Sequence, residues 1–144
     1  MPNIDIRPVK NAQELEEMFY QRWLVLRSPL GMERGSEKDD HENGACHIIA
    51  TGDRKIIASG RLRELSPELG SISYVAVLPE FQNQGIGTKL MEKLIAQAKE
   101  NNFKTLRLMS RINAVQFYQK LGFSAQESPF DYLGIPHVFM QLEI

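Results

Sequence analysis

The segment from Ile72 to Met109 restricts the fold more than any other part of the chain. Ile72-Ser73-Tyr74-Val75-Ala76-Val77 is rich in β-branched and aromatic residues and reads as a strand. Pro79 ends it, because proline has no N–H for a ladder. Gln82-Asn83-Gln84-Gly85-Ile86-Gly87-Thr88 follows. Behind it Ile86, Leu90, Leu94 and Ala98 recur at four-residue spacing, with Met91 and Ile95 beside them. That pattern is one wide buried face of a helix. Asn101-Asn102 stops the helix, and Thr105-Leu106-Arg107-Leu108-Met109 reads as another strand. Strand, glycine-rich turn, helix, strand is a βαβ unit, so its two strands run parallel.

The elements before this unit point to antiparallel pairing. Ile4-Asp5-Ile6-Arg7 alternates as a short strand, and Asn11 to Glu14 resembles a capping box. The helix that follows carries Leu15, Phe19, Trp23 and Leu26 on one stripe and stops at Ser28-Pro29-Leu30-Gly31. Residues 32–44 are polar and read as an exposed, mobile loop containing the charge run Ser36 to Glu42. His47 to Ala50 and Lys55 to Leu62 form a hairpin about Gly52-Asp53-Arg54. Ser66 to Gly70 turns the chain into the Ile72 strand, giving a meander. After the βαβ unit, Asn113 opens a shorter helix with Ala114, Phe117, Tyr118 and Leu121 inward, stopped by Gly122. Phe123 to Gln126 and His137 to Leu142 are the last strands, joined by a loop from Ser128 to Pro136. The expectation is an α/β (α+β) domain spanning residues 1–144 with one mixed, mostly antiparallel central sheet.

Charge and cysteine usage remove several classes. A net charge of −1 gives no electrostatic footprint for nucleic acid. The single cysteine, Cys46, cannot form an internal disulfide, which fits a reducing cytoplasm, and it reads as a small buried hydrophobe. The first ten residues lack the apolar core of a signal peptide, and no apolar run approaches the ~18 residues of a membrane span. No spacing suggests a metal site.

Glycine is a poor helix former, yet Gly85 and Gly87 sit at a helix start. A tight turn accounts for them. So does an anion approaching the unpartnered N–H groups of the first turn, where a side chain would obstruct it. There is no G-x-x-x-x-G-K-[ST], and position 90 is leucine rather than the third glycine of a dinucleotide fingerprint.

Gln82-x-x-Gly85-x-Gly87 instead resembles the [Arg/Gln]-x-x-Gly-x-[Gly/Ala] signature of the GNAT N-acetyltransferases. Val75-Ala76-Val77-Leu78-Pro79-Glu80-Phe81 is similar to the strand and proline that precede it. Asn113-Ala114-Val115-Gln116-Phe117-Tyr118-Gln119-Lys120-Leu121-Gly122-Phe123 resembles that family's second signature. Both occur in the expected order, and the element order over nearly the whole chain is similar. Leu26-Arg27-Ser28-Pro29-Leu30-Gly31 and Gly134-Ile135-Pro136-His137 resemble a narrower bacterial branch, the ElaA-like and YjcF-like members.

The resemblance implies acetyl transfer from acetyl-CoA, without a metal, to a primary amine, a small molecule or peptide. A homodimer is common in similar proteins. Amides of Gln82, Asn83, Gln84, Gly85, Ile86, Gly87 and Thr88 would hold the diphosphate. Main-chain groups of Val75 and Val77 would pair with the pantetheine arm. That needs the fourth and fifth strands to splay beyond Val77, with a bulge in the fourth. Tyr118 would protonate the departing thiolate. A phenol of pKa about 10 would give its proton to a thiol of pKa about 8.5, uphill by about two units. A buried tyrosine bonded to a carbonyl is the competing reading. Asn113 is a helix cap, a cofactor contact, or both; Phe117 is mainly core and flanks the cofactor.

The amine must lose a proton before attack. Ser71 to Val77 contains no carboxylate, so Glu64 and His137 are comparable candidates for the base, and a water chain would make either unnecessary. The acidic run Glu37 to Glu42 is a solvated face or an attraction for a cationic acceptor. Asp131 and Tyr132 are placed to line an acceptor pocket, and Arg27 to anchor the first helix or meet substrate. The alternative to catalysis is a non-catalytic acyl-CoA-binding sensor.

Overall fold

The computed structural model describes residues 3–144. One eight-stranded sheet runs through them, in the order β1-β2-β3-β4-β5-β8-β6, with β7 paired to β8. The strands are β1 (Asp5–Pro8), β2 (Cys46–Gly52), β3 (Lys55–Ser66), β4 (Leu69–Val77), β5 (Thr105–Arg111), β6 (Ser124–Ala125), β7 (Phe130–Tyr132) and β8 (Ile135–Glu143). The helices are α1 (Ala12–Leu26), α2 (Ile86–Glu100) and α3 (Val115–Lys120). Every pairing is antiparallel except β4 with β5, the pair joined by α2. No helix among the described residues is long and apolar enough to cross a membrane.

The two sheet faces are set by alternation along the strands. In β2, Ile48 and Ala50 join the core beneath α2, whereas Ile49 packs with Met18, Phe19 and Ile56 beneath α1. The α2 stripe of Ile86, Leu90, Met91, Leu94 and Ala98 is buried as its spacing predicts. The helix sits so close to β3 that a Cβ on Gly60 would lie 2.8 Å from Leu94 Cδ1. α1 is capped by Asn11 Oδ1, which accepts from Glu14 N–H at 2.8 Å, while the Glu14 carboxylate accepts from Lys10 N–H at 3.0 Å.

β4 and β5 are in register only from Leu69–Thr105 to Ile72–Leu108, although both strands continue. The expected splay therefore begins at Ser73, before Val77. On its other edge β4 pairs Ala76 with Ser59 and Ser73 with Arg61, so Tyr74 and Val75 together face Gly60. Tyr74 has φ 55°, a left-handed conformation that turns the strand at this bulge.

Three expectations need correction. The segment between Gly31 and Cys46 is tied down rather than mobile. Arg22, fully buried, donates from Nη1 to the Glu37 carbonyl and the Glu42 carboxylate, both at 3.0 Å. Arg61 grips Asp39 through two bonds of 2.7 and 3.0 Å and lies 3.1 Å from Glu42. Glu37 is itself fully buried and accepts from Gly35 N–H at 2.7 Å. Asp39 and Glu42 are held by Arg61 and Arg22 and Glu37 by the Gly35 amide, while Asp40 stays exposed, so the run is not simply a solvated face. The α1 stripe also differs, because Gln21 and Arg22 are buried while Trp23 is partly exposed. Gln21 Nε2 donates to the Ala76 carbonyl at 3.0 Å, and Gln21 Oε1 accepts from the Ser59 hydroxyl at 2.6 Å. Finally, the 128–136 loop contains β7, which forms a tight hairpin with β8 through Leu133 and Gly134, at φ 55° and 75°.

Breaking a buried ion pair strands the remaining charge, at a cost of about 3–5 kcal/mol. Arg22→Ala is expected to lose that much in urea denaturation, and Arg22→Met combined with Glu42→Gln to lose less. Burial depresses the His47 pKa, outweighing the Glu42 carbonyl bond. The folded state thus prefers neutral His47, a stabilisation fully present above the ordinary value of about 6.5 and lost as pH falls through and below it. The urea midpoint should drop from pH 7.5 to 5.5, and His47→Gln should flatten that slope.

Candidate active site

Where β4 and β5 part, a cleft of about 580 Å³ opens through the sheet. Ser73, Tyr74 and Val75 of β4 form one wall, and Leu108 to Arg111 of β5 the other. Tyr118 of α3 and Tyr132, Leu133 and His137 of the β7–β8 hairpin complete it.

The start of α2 lies just beyond β4. Asn83 and Gly85 take left-handed conformations, φ 61° and 81°. The first internal helix bond is Lys89 N–H to the Gly85 carbonyl, at 3.1 Å. The amides of Gly85, Ile86, Gly87 and Thr88 thus have no acceptor among the described residues, as the geometry of a helix start requires. The two glycines have different reasons for being there. At Gly85 the left-handed turn is decisive, and the space where a Cβ would project is open. At Gly87 a Cβ would meet the Phe117 ring at 3.4 Å, an ordinary contact, so packing within the protein does not by itself demand glycine there. Gln82 donates from Nε2 to the Val77 carbonyl at 3.0 Å, and Gln84 to the Glu80 carbonyl at 3.1 Å. Val75 and Val77 pack their side chains toward the α2 core. On the β5 side, the edge of β4 from Ser73 to Val77 has no strand partner.

Tyr118 is held by edge-on contacts with Phe117 and Phe123, at centroid distances of 5.0 and 6.0 Å. Its hydroxyl has no hydrogen-bond partner among the described residues, so the expected alternative of a carbonyl bond is absent. Burial pushes its pKa up to about 12. Asn113 does not cap α3. β5 runs into a 3₁₀ turn over Ile112–Ala114, the helix begins only at Val115, and its N-cap, Ala114, makes no side-chain bond. Asn113 is exposed on that turn beside the cleft-lining Ala114.

His137 is buried in the cleft wall, with its ring stacked on Phe130 and edge-on to Tyr132. Its Nδ1 lies 2.7 Å from the Ile135 carbonyl. A carbonyl can only accept, so Nδ1 carries the proton and Nε2 presents a lone pair. Glu64 lies elsewhere. Arg61 and Leu65 of β3 face the cleft, whereas Leu62 and Glu64 line a separate hollow with Cys46 and Phe103. Strand parity therefore removes Glu64 from the site. Tyr132 lines the cleft and Asp131 does not. Arg27 both lines it and anchors the loop, donating to the Ser36 and Leu26 carbonyls at 3.1 and 3.2 Å.

Sequence reasoning missed Arg61, Tyr74, Arg107 and Arg111, all of which line the cleft, and named Asp39 only within the acidic run. A cation inside the apolar strand Ile56 to Leu62 was the available signal for Arg61. The aromatic ring of Tyr74 sits 4.1 Å from the Arg22 guanidinium carbon and 4.8 Å from that of Arg61.

This geometry has a counterpart. Residues 29–144 match the family model described as acetyltransferase (GNAT) domain. The chain belongs to the GNAT acetyltransferases. Its relatives include the uncharacterized N-acetyltransferase YjcF of Bacillus subtilis, 30% identical over 132 residues, covering 91% of this chain and 94% of that one. Escherichia coli ElaA shares the fold, with TM-score 0.85 at 21% identity over 96% of this chain and 99% of that chain. So does a GNAT family acetyltransferase from Elizabethkingia anophelis with acetyl-CoA bound, with TM-score 0.78 at 23% identity over 99% of both chains. The GNAT fold, acyltransferase class and use of acetyl-CoA follow from family membership.

Two substitutions check this geometry. Glu64→Gln should leave kcat/KM within about twofold of the parent, as expected of a surface change away from the cleft. Gly85→Ala should cost about 1–2 kcal/mol in denaturant unfolding, because its φ disfavours any Cβ.

Proposed function

We propose that this GNAT protein transfers acetyl from acetyl-CoA to a primary amine by direct attack in a ternary complex. The observation that carries the reading is the half-buried Tyr118, whose hydroxyl has no hydrogen-bond partner among the described residues and which lines the same cleft as Gln82, just before α2. The residues present fit the donor. The amides of Asn83 to Thr88 have no acceptor among the described residues and can receive a diphosphate at the positive end of α2, with Gly85 leaving open space, whereas the Gln82 N–H is spent on the Pro79 carbonyl at 3.3 Å. The unpaired edge of β4 at Val75 and Val77 can add an extended arm as another strand would. Asn113 and Phe117 flank that path.

An alkyl ammonium of pKa about 10.4 is neutral in roughly one molecule per thousand at pH 7, a deficit of about 4–5 kcal/mol. His137 Nε2, directly or through water, takes the ammonium proton and passes it to solvent. The neutral amine then forms the N–C bond as the C–S bond breaks. Tyr118 donates its proton to the departing sulfur and regains one from the amide nitrogen. Burial makes this transfer harder than the isolated phenol suggests, since about 12 against about 8.5 is a gap of ~3.5 units. The thiolate forms in the same desolvated site, where its own proton affinity is also raised, and this narrows the gap.

Tyr118→Phe should lower kcat by about 10²–10⁴-fold in a free-thiol assay, with KM for acetyl-CoA little changed. Because the Tyr118 proton is held up to about 12, its loss should produce no alkaline limb below pH 10. Full turnover by the phenylalanine variant would remove Tyr118 from the mechanism. His137→Ala should lower kcat/KM for the amine about 10²-fold or more in the same assay, with the Kd for acetyl-CoA unchanged.

A further inference from the structure

We infer that the amine acceptor also carries an anionic group joined to an apolar body, and that Arg107 and Arg111 receive the anion. This rests on the transferase reading above. Four arginines line the cleft, Arg27, Arg61, Arg107 and Arg111, against one carboxylate, Asp39. That carboxylate is closed onto Arg61 by two hydrogen bonds, with the Tyr74 hydroxyl a third donor at 3.4 Å. Its pKa is held well below the ordinary carboxylate range, chiefly by the Arg61 bonds. Glu42 is shared between Arg22 and Arg61. No other carboxylate among the described residues lines the cleft.

The arginines are not equivalent. Arg61 is occupied by Asp39, and Arg27 spends donors on two carbonyls. Arg107 and Arg111 form no ion pair or side-chain hydrogen bond with any described residue. They share one face of β5, because Leu106, Leu108 and Ser110 alternate into the opposite, buried face. Arg111 stands opposite His137 in the β5–β8 register, and Arg107 lies farther along the same face. Two unpaired guanidinium groups in a concave, partly desolvated site are a receptor for carboxylate or phosphate.

Met109 lies between them, 37% exposed, and Leu65, Tyr132 and Leu133 also leave apolar surface open to the same cleft. An apolar body between anion and amine would cover that surface. Carboxylate-bearing amines of this kind, such as apolar amino acids, and their phosphonate analogues share the required chemistry. The same positive field lowers the pKa of a bound ammonium, easing the deprotonation assigned to His137.

The test is a thiol-release panel with the full chain and acetyl-CoA. It compares phenylalanine and leucine with their amides, with the matching aminoalkyl phosphonates, and with spermidine. The expected result is a kcat/KM at least tenfold higher for the acids or phosphonates than for the neutral amides, and lowest for spermidine. The carboxylate and phosphonate arms identify which anion is preferred. The preference should shrink as salt rises. Arg107→Gln and Arg111→Gln should each cut the acid-to-amide ratio about tenfold, with the Kd for acetyl-CoA unchanged. Equal use of acids, amides and spermidine would overturn this inference and leave the transferase reading intact. So would a weakened acetyl-CoA Kd in both variants without a change in the ratio. Absence of turnover with every amine would overturn both readings.

Discussion

The parting of β4 and β5 after four registered pairs is the constraint on which the rest of the molecule depends. A parallel pair bridged by a helix is ordinarily zipped along its length. Here β4 turns away at Tyr74 and Val75, where two residues span the single position of Gly60. The bulge frees the β4 edge, opens a passage between the two faces of the sheet, and leaves the start of α2 at its rim. Tyr118 reaches the same passage from α3. The chemistry proposed for the cleft adds to these features His137 from β8 and the two substrates.

A second constraint acts beside the first. Arg22 and Arg61 lie almost wholly inside the protein, an arrangement that is costly unless each charge is matched. Their partners come from the segment after α1, whose carboxylates fold inward over the arginines and the Tyr74 ring. This packing holds that segment in place and neutralises its charge at once. The consequence is electrostatic, because Asp40 stays outside the cleft lining while Asp39 and Glu42, each matched by arginine, bring no unpaired negative charge to the cleft. The unpaired arginines of β5 then dominate it.

Much of the fold was legible in the chain because it is encoded locally. The α2 stripe, the left-handed stop at Gly122 and the Asn11 cap each need only neighbouring residues, and each was read from spacing. The short hairpin of β7 and β8 was not, since Leu133 is an unusual residue for a positive φ. Asn113 looked like a cap because its residue type favours one. The 3₁₀ turn displaced the helix start by one residue, from Ala114 to Val115, and left the asparagine outside it. Turn and anion approach both fit Gly85 and Gly87 in the sequence; the structure separates them, since only Gly85 takes a left-handed φ and a Cβ at Gly87 would meet only ordinary contacts.

The sequence by itself determined the element order, the parallel βαβ unit, the unpartnered helix start and an inward-facing tyrosine on the third helix. Periodicity and turn chemistry specify such features without reference to distant residues. Only the tertiary structure decided which charged groups are free. Glu64 leaves the site because alternation along β3 points it to the opposite face from Arg61. Asp39 and Glu42 lose their negative field because Arg61 and Arg22, far away in the chain, reach them. Arg107 and Arg111 stay unpaired because no carboxylate among the described residues comes within ion-pair distance, and Glu143, on the same face of the sheet, is taken up by Thr105 and Gln141. Charge pairing between distant segments depends on register and on where a bulge falls, and neither is written in local residue order.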